Sequence, residues 1–304
     1  MSIQGDFIQM GIIPDLDGSI RIAGNLYARN VPGIVSGYSS EIWYVDSDIL
    51  TSGNGKSWAR SFKTVTESLA AAGAHDIILI QKGIYDEGAV LNITQEGLRL
   101  IGMNTTNYMF GTTSLKASAA DHIIFTINAN EVEIANLSFI QNNANKCIDV
   151  ATTVNTYKTH IRNCHFGSGA ATYGVDGGAG VYDSVDVIIE NCSFTIGGGL
   201  VGARLNGTRC AIINSFFQIG TASTGYVHTP TTGNRPYGRV LGCKFHTVDV
   251  TNGIGITVTG TPTVGFFTVD DCHFIYFADD NHAVSKRTGY CGLNWRDAAV
   301  LPVT

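Results

Sequence analysis

Six times between residues 134 and 274 the chain returns to one short pattern, and a recurrence of that kind restricts the fold more than any other feature here. The copies are Ile134-Ala-Asn136-Leu-Ser-Phe139, Ile161-Arg-Asn163-Cys-His-Phe166, Ile189-Glu-Asn191-Cys-Ser-Phe194, Ile212-Ile-Asn214-Ser-Phe-Phe217, Val240-Leu-Gly242-Cys-Lys-Phe245 and Val269-Asp-Asp271-Cys-His-Phe274. With the Asn-type residue as position zero, successive zeros are 27, 28, 23, 28 and 29 residues apart. Phenylalanine holds +3 and a β-branched aliphatic holds −2 in every copy, while +1 reads Leu137, Cys164, Cys192, Ser215, Cys243, Cys272. A weaker copy precedes them at Leu98-Arg-Leu100-Ile-Gly102-Met103, without the Phe.

Positions −4 and −2 share one parity and +1 and +3 the other, so each copy is a strand that bends at zero and resumes. Asn, Gly and Asp, the types that tolerate a left-handed backbone, are the only ones at the bend. Stacked at about 4.8 Å per coil, Asn136, Asn163, Asn191, Asn214, Gly242 and Asp271 form a turn ladder. Phe139, Phe166, Phe194, Phe217, Phe245 and Phe274 form a core column. The expected fold is all-β, a single-stranded parallel β-helix with clear coils over about 98–277. A sandwich would need hairpin turns at 8–12-residue spacing and would not repeat one residue column.

Composition agrees with that fold and excludes several functions. Glycine reaches 36 of 304 residues and charged residues only 14%. A net charge of −6 argues against nucleic-acid and anionic-membrane partners. No run of 18 apolar residues is present. The opening residues lack a basic segment and carry Asp6 and Asp15, so no export signal is expected. The seven cysteines, an odd number, then read as buried thiols of a protein assembled in a reducing compartment. The N-x-S/T matches at Asn136 and Asn191 read as idle for glycosylation.

Upstream of the repeats, Ser61–Ala72 is the one convincing helical run, with Phe62, Val65 and Leu69 on one face and Gly73 as its stop. A strand at Asp76–Ile80 follows, and Lys82-Gly83 turns into Ile84 and Tyr85. A solenoid needs its open end covered, and the helix over about 61–73 suits that purpose. The expected organisation is an N-terminal arm over 1–40, either an attachment segment or extra sheet, and a β-helix domain over 41–304.

The stretch Glu41–Gly88 resembles the entry segment of pectate-lyase-like right-handed β-helix proteins. The resemblance rests on the strand ending in Val45-Asp46, the Gly-rich loop with Trp58, the helical run and the Gly83-x-Tyr85 turn. With the coils to Phe274 it covers about three quarters of the chain. Within that superfamily the chain looks most like tailed-phage virion proteins, both capsid decoration proteins and tailspikes. The resemblance implies a homotrimer located on the virion, with the N-terminal region as its attachment and the major capsid protein as partner. Decoration is the expected role, because the chain is short for a spike and residues 281–304 contain no obvious coiled coil. A tailspike that binds or cleaves host glycan is the alternative, and a free polysaccharide lyase the third.

No catalytic constellation emerges from the spacing, and no cofactor or metal is expected. Glu190 and Asp270 share column −1 but stand three coils apart, roughly 14 Å, too far for either glycosidase geometry. Asp270 and Asp271 flank the last bend, where a shared proton or cation competes with a plain turn. Arg162 and Glu190, one coil apart, predict a surface ion pair. Asp176, Asp183 and Asp186 could hold a cation, with Arg204 and Arg209 as the basic partners a lyase would want. Asp279, Asp280 and His282 read as a solvated loop. His165 and His273 point outward at +2, too far apart to share an ion, and His122, His160, His228 and His246 lack ligand spacing. Gly197-x-Gly199-x-x-Gly202 lacks the helix that a phosphate fingerprint opens, and Gly55-Lys56-Ser57 has Leu50 where a P-loop needs glycine. The tyrosines Tyr173, Tyr182, Tyr226 and Tyr237 are expected in exposed loops, facing either sugar rings or a subunit interface.

Overall fold

A computed structural model describes residues 40–103, 113–117, 122–141, 144–150, 153–168, 172–178, 184–229, 238–249, 251–258 and 267–277, with five further strands at Ile12–Pro14, Ile20–Ile22, Val284–Ser285, Asn294–Arg296 and Ala299–Leu301. The chain winds through three long sheets, taking one strand from each per coil. The first sheet runs from Ile42–Val45 through Glu133–Ala135 and His160–Arg162 to Phe267–Asp270, all parallel. The second begins at Gly83–Glu87 and carries the Phe column, and the third begins at Leu91–Ile93. Strands Ile12–Pro14 and Ile20–Ile22 pair antiparallel to each other.

The bend between first and second sheets is what the repeat encodes. Asn136, Asn163, Asn191, Asn214, Gly242 and Asp271 all have φ between 49° and 63°. The turn ladder is held mainly by backbone: the turn amides from Asn136 to Gly242 each donate to the carbonyl at −1 of the next coil, as from Asn163 to Glu190 at 3.0 Å. One side-chain rung accompanies it, Asn163 Nδ2 to Asn136 Oδ1 at 3.2 Å. Position +1 is chemically specified too. The side chains of Cys164, Cys192, Ser215, Cys243 and Cys272 each donate to the carbonyl two residues back, at 2.9–3.4 Å. The small donor there adds a second bond to the −1 carbonyl that already accepts from the turn amide of the preceding coil.

Past the bend the Phe rings stack parallel, with centroids 4.5–5.1 Å apart from Phe139 to Phe274. Tyr85 and Leu115 continue the column toward the N-terminus, so the weak seventh copy lacks only an adjacent Phe. Glycines Gly174, Gly202 and Gly225 make room for the rings: a Cβ on each would stand 2.8–3.0 Å from Phe194, Phe217 and Phe245 respectively.

At the N-terminal end, helix α1 (Val65–Ala71) lays buried Val65 and Leu69 on the core. It is shorter than the sequence suggests. Thr64 caps it through a reciprocal box with Glu67, and buried Glu87 accepts from the Val65 amide at 2.7 Å. Phe62 is not helical: it bridges Val45 as a short β-contact and stacks on Trp43 at 5.8 Å. The helix ends before Gly73, whose amide goes to Asp76, a buried carboxylate that also holds the Trp43 indole and the Glu41 amide.

Candidate functional site

The three outer faces of the solenoid differ in charge. On the third sheet Asp149, Asp176 and Arg204 are register neighbours in successive coils, as are Lys146 and Tyr173. Lys146 Nζ sits 2.7 Å from an oxygen of Asp149 and 2.7 Å from one of Asp176, so those oxygens lie within twice that distance of each other. Arg204 grips Asp176 with two bonds of 2.7 and 2.8 Å and stacks over the Tyr173 ring at 4.2 Å. Asp176 is fully buried and Asp149 is 6% exposed.

The two carboxyls are shifted in opposite directions. Burial pushes Asp149 up, and the bond from Lys146 offsets this only in part. Burial also pushes Asp176 up, but hydrogen bonds from Arg204 and Lys146 outweigh it and hold the carboxylate below its usual range. A carboxylate held ionised beside a carboxyl that burial shifts upward is one ingredient of acid–base chemistry, with Asp176 as the base. Here, however, two cations saturate the base.

Sequence reasoning missed this pair because it tested columns beside the bend only. It also joined Asp176 to the wrong partners. Asp186 does not meet Asp176 but pairs with Arg209 at 2.6 Å, while Arg204 and Lys146 neutralise Asp176. Asp183 lies outside the described residues, as do Asp279, Asp280, His282, Tyr182 and Tyr237. Among the described residues no three His, Cys, Asp or Glu side chains converge on a metal position.

The first sheet carries a second ionic network. Arg162 reaches back to Glu133 at 2.5 Å, a carboxylate shared with Arg99, while Glu190 pairs with His160 at 3.1 Å. The expected Arg162–Glu190 pair is therefore replaced, because position −3 of the neighbouring coil offers each residue a partner on the same face. At the corner entering this sheet, position −5 is again left-handed: Glu131, Lys158, Asp186 and Arg209 have φ of 57–60°. Their charges alternate along the stack and pair as Lys158–Glu131 and Arg209–Asp186.

The second sheet is different. From Ser138 to Ile275 its strands turn outward Ser138, Ile140, His165, Gly167, Ser193, Thr195, Phe216, Gln218, Lys244, His246, His273 and Ile275. Only Lys244 has a permanent charge. Phe216, Ile140 and Ile275 are half-buried, and Val248 and Tyr276 stand 62% and 58% exposed beyond its edge.

Two of the expected loop aromatics are elsewhere. Tyr226 is a core residue, in the inward column with Val175, Ala203 and Ile256, its hydroxyl 3.0 Å from His228 Nδ1. Small Ala203 in the coil below allows so large a ring there. Tyr173 lies on a strand under Arg204. His165 is partly covered, which lowers its basicity. Asp271 occupies the left-handed turn and its amide bonds Asp270, so the last acidic pair is a turn. Gly197–Gly202 opens a strand and no helix.

The architecture is a right-handed, single-stranded parallel β-helix. Solved structures that share it include a rhamnogalacturonan lyase, at 13% identity over 87% of this chain and 79% of that one, TM-score 0.60. A pectin methylesterase from Aspergillus niger aligns at 10% identity over 86% and 85%, TM-score 0.56. The Escherichia coli protein ybhc aligns at 10% over 88% and 89%, TM-score 0.57. No protein-family model and no curated protein matches the sequence. Likeness at this level of identity describes the fold alone.

Proposed function

We propose that this chain is a structural protein of a phage virion: a homotrimeric β-helix that decorates the capsid and binds the major capsid protein, without enzymatic activity. One observation carries the reading, the contrast between outer faces. The first and third sheets carry charges that are mostly paired within the chain, with Arg239 an exposed exception, whereas the second offers six successive strands with a single permanent charge. A flat face rich in small, polar and half-buried apolar groups suits contact with another protein. Residues 1–40 serve as the attachment arm. The role supports the particle by burying surface and stabilising the assembled state by mass action.

Electron microscopy of the purified protein and of particles from its source tests this. Trimers distributed over the shell are the expected result, and Thr195→Glu with Gln218→Glu should leave monomers. A wild-type monomer that joins no particle overturns it.

A second reading, a tailspike-like glycan binder, is favoured by the third-sheet cluster, where Tyr173 and Arg204 flank two carboxyls shifted in opposite directions. Two of the structural neighbours are named for rhamnogalacturonan and pectin. Binding of host glycans that Asp149→Asn and Arg204→Ala abolish, on particles carrying the protein only at the tail, would establish this reading over decoration.

A further inference from the structure

The +1 column divides its thiols into two pairs. Cys164 and Cys192 lie in adjacent coils, Ser215 interrupts, and Cys243 and Cys272 follow in the next two. The Ser215 amide donates to Cys243 Sγ at 3.4 Å, so a serine bounds Cys243 on one side and Cys272 bounds it on the other. Cys192 is two coils from Cys243, roughly 9.6 Å at strand spacing and beyond bridging distance. None of the six described cysteines is in a disulfide.

We propose that Cys243 and Cys272 form an oxidation site, where a hydroperoxide converts two reduced thiols into a disulfide tying successive coils together. The register brackets the pair. Leu241 faces Asp270 and Lys244 faces His273, which sets Cys243 opposite Cys272. Strand neighbours about 4.8 Å apart fall within the 4.4–6.8 Å over which Cα atoms can be bridged. The two side chains already share a hydrogen bond.

That bond also orders the chemistry. The contact with Cys272 lowers the Cys243 thiol, while burial and the same contact raise Cys272, and both side chains are buried, at 1% and 0% exposure. The Cys243 thiolate attacks a peroxide oxygen: an S–O bond forms, the O–O bond breaks, and the alcohol or water leaves with a proton. Cys272 sulfur then attacks the sulfenic acid. The S–S bond forms, the S–O bond breaks, and water departs with the Cys272 proton. The peroxide is reduced by two electrons and the thiol pair is oxidised by two. Cys210 faces Gly238 in the next coil, donates to the Ser184 and Thr208 carbonyls and is pushed up to about 12 by burial, which makes it the internal standard.

The full-length protein is treated with hydrogen peroxide, unfolded in an alkylating reagent and digested for mass spectrometry. A peptide linked through Cys243 and Cys272 is expected, with protection of Cys243 at least about tenfold above Cys210, since the two are equally buried and only Cys243 faces a second thiol. In Cys272→Ser the sulfenic acid at Cys243 should persist and be trapped by dimedone. Should that variant misfold, the wild-type linkage still decides. Equal alkylation of Cys243 and Cys210, or oxidation of Cys243 to the sulfinic acid without a link, overturns the proposal.

Discussion

A left-handed bend in every coil places its demand on one residue. At Asn191, φ is 52°, where a Cβ without a local polar partner costs about 1–2 kcal/mol. Asn191→Ala should therefore lower the urea midpoint, while Asn191→Gly leaves it nearly unchanged. Gly242 is stricter, since a Cβ there would meet Asn214 Oδ1 at 2.4 Å. The third-sheet carboxyls make the opposite demands on pH. Asp176, held below its unfolded value, contributes stability that is present above the unfolded pKa and lost as pH falls through the folded one. Asp149, held above its unfolded value, opposes folding as pH rises through that interval. Urea unfolding at pH 7 should find Asp176→Asn costly, about 3–5 kcal/mol, since two cations lose a buried partner. Asp149→Asn should cost far less, because Lys146 keeps Asp176, and should steepen the acid loss of stability. These roles were legible for the bend, where residue type and backbone conformation are tied. They were not legible for Asp176, because Asp149, Asp176 and Arg204 share a column thirteen residues past the bend, well outside the motif that repeats in sequence.

Unequal loops are the main fact at the scale of elements. Between first and second sheets the link is two residues in every coil from Ala135–Ser138 to Asp270–His273. Between third and first it varies, nine residues from Val150 to His160 but four from Leu205 to Cys210. A constant link repeats its residues in sequence, so the bend, the Phe column and the fold could be read directly. The second-to-third link is four residues from Gln141 to Lys146 and again from Ile219 to Thr224, so the Gly174–Gly202–Gly225 column and Tyr226 stand at fixed offsets from the bend but outside the short motif that marks it. The helix was overextended for a local reason: Ser61–Lys63 has a helical pattern, but Phe62 gains more by pairing with Val45 and covering Trp43. Two substitutions test the ring column. Gly202→Ala would bring a Cβ to 2.7 Å from Ile196 and 3.0 Å from Phe217, and overpacking of this kind costs about 1–3 kcal/mol. Phe217→Ala should cost about 3–5 kcal/mol, and calorimetry would register both as a lower Tm. At the cap, Thr64→Ala removes one half of a reciprocal box and should cost about 1 kcal/mol.

Across the whole molecule, the faces should respond differently to salt. Contact through the nearly uncharged second sheet should survive a rise from 50 mM to 500 mM NaCl, whereas association through the paired charges of the other faces would be screened. Sedimentation at the two concentrations distinguishes these; a trimer that falls apart at high salt would move the interface to the first or third sheet. The sequence announced the charge scarcity as a global figure but not its confinement to one side, because sidedness requires all three strands of a coil to be placed. The invariant two-residue link also bears on how such a chain can change over generations. Lengthening one third-to-first connection leaves the neighbouring bends and rings as they were, so no compensating change is needed elsewhere. Novelty can therefore accumulate along one edge of the rod, coil by coil, while the opposite seam is inherited intact.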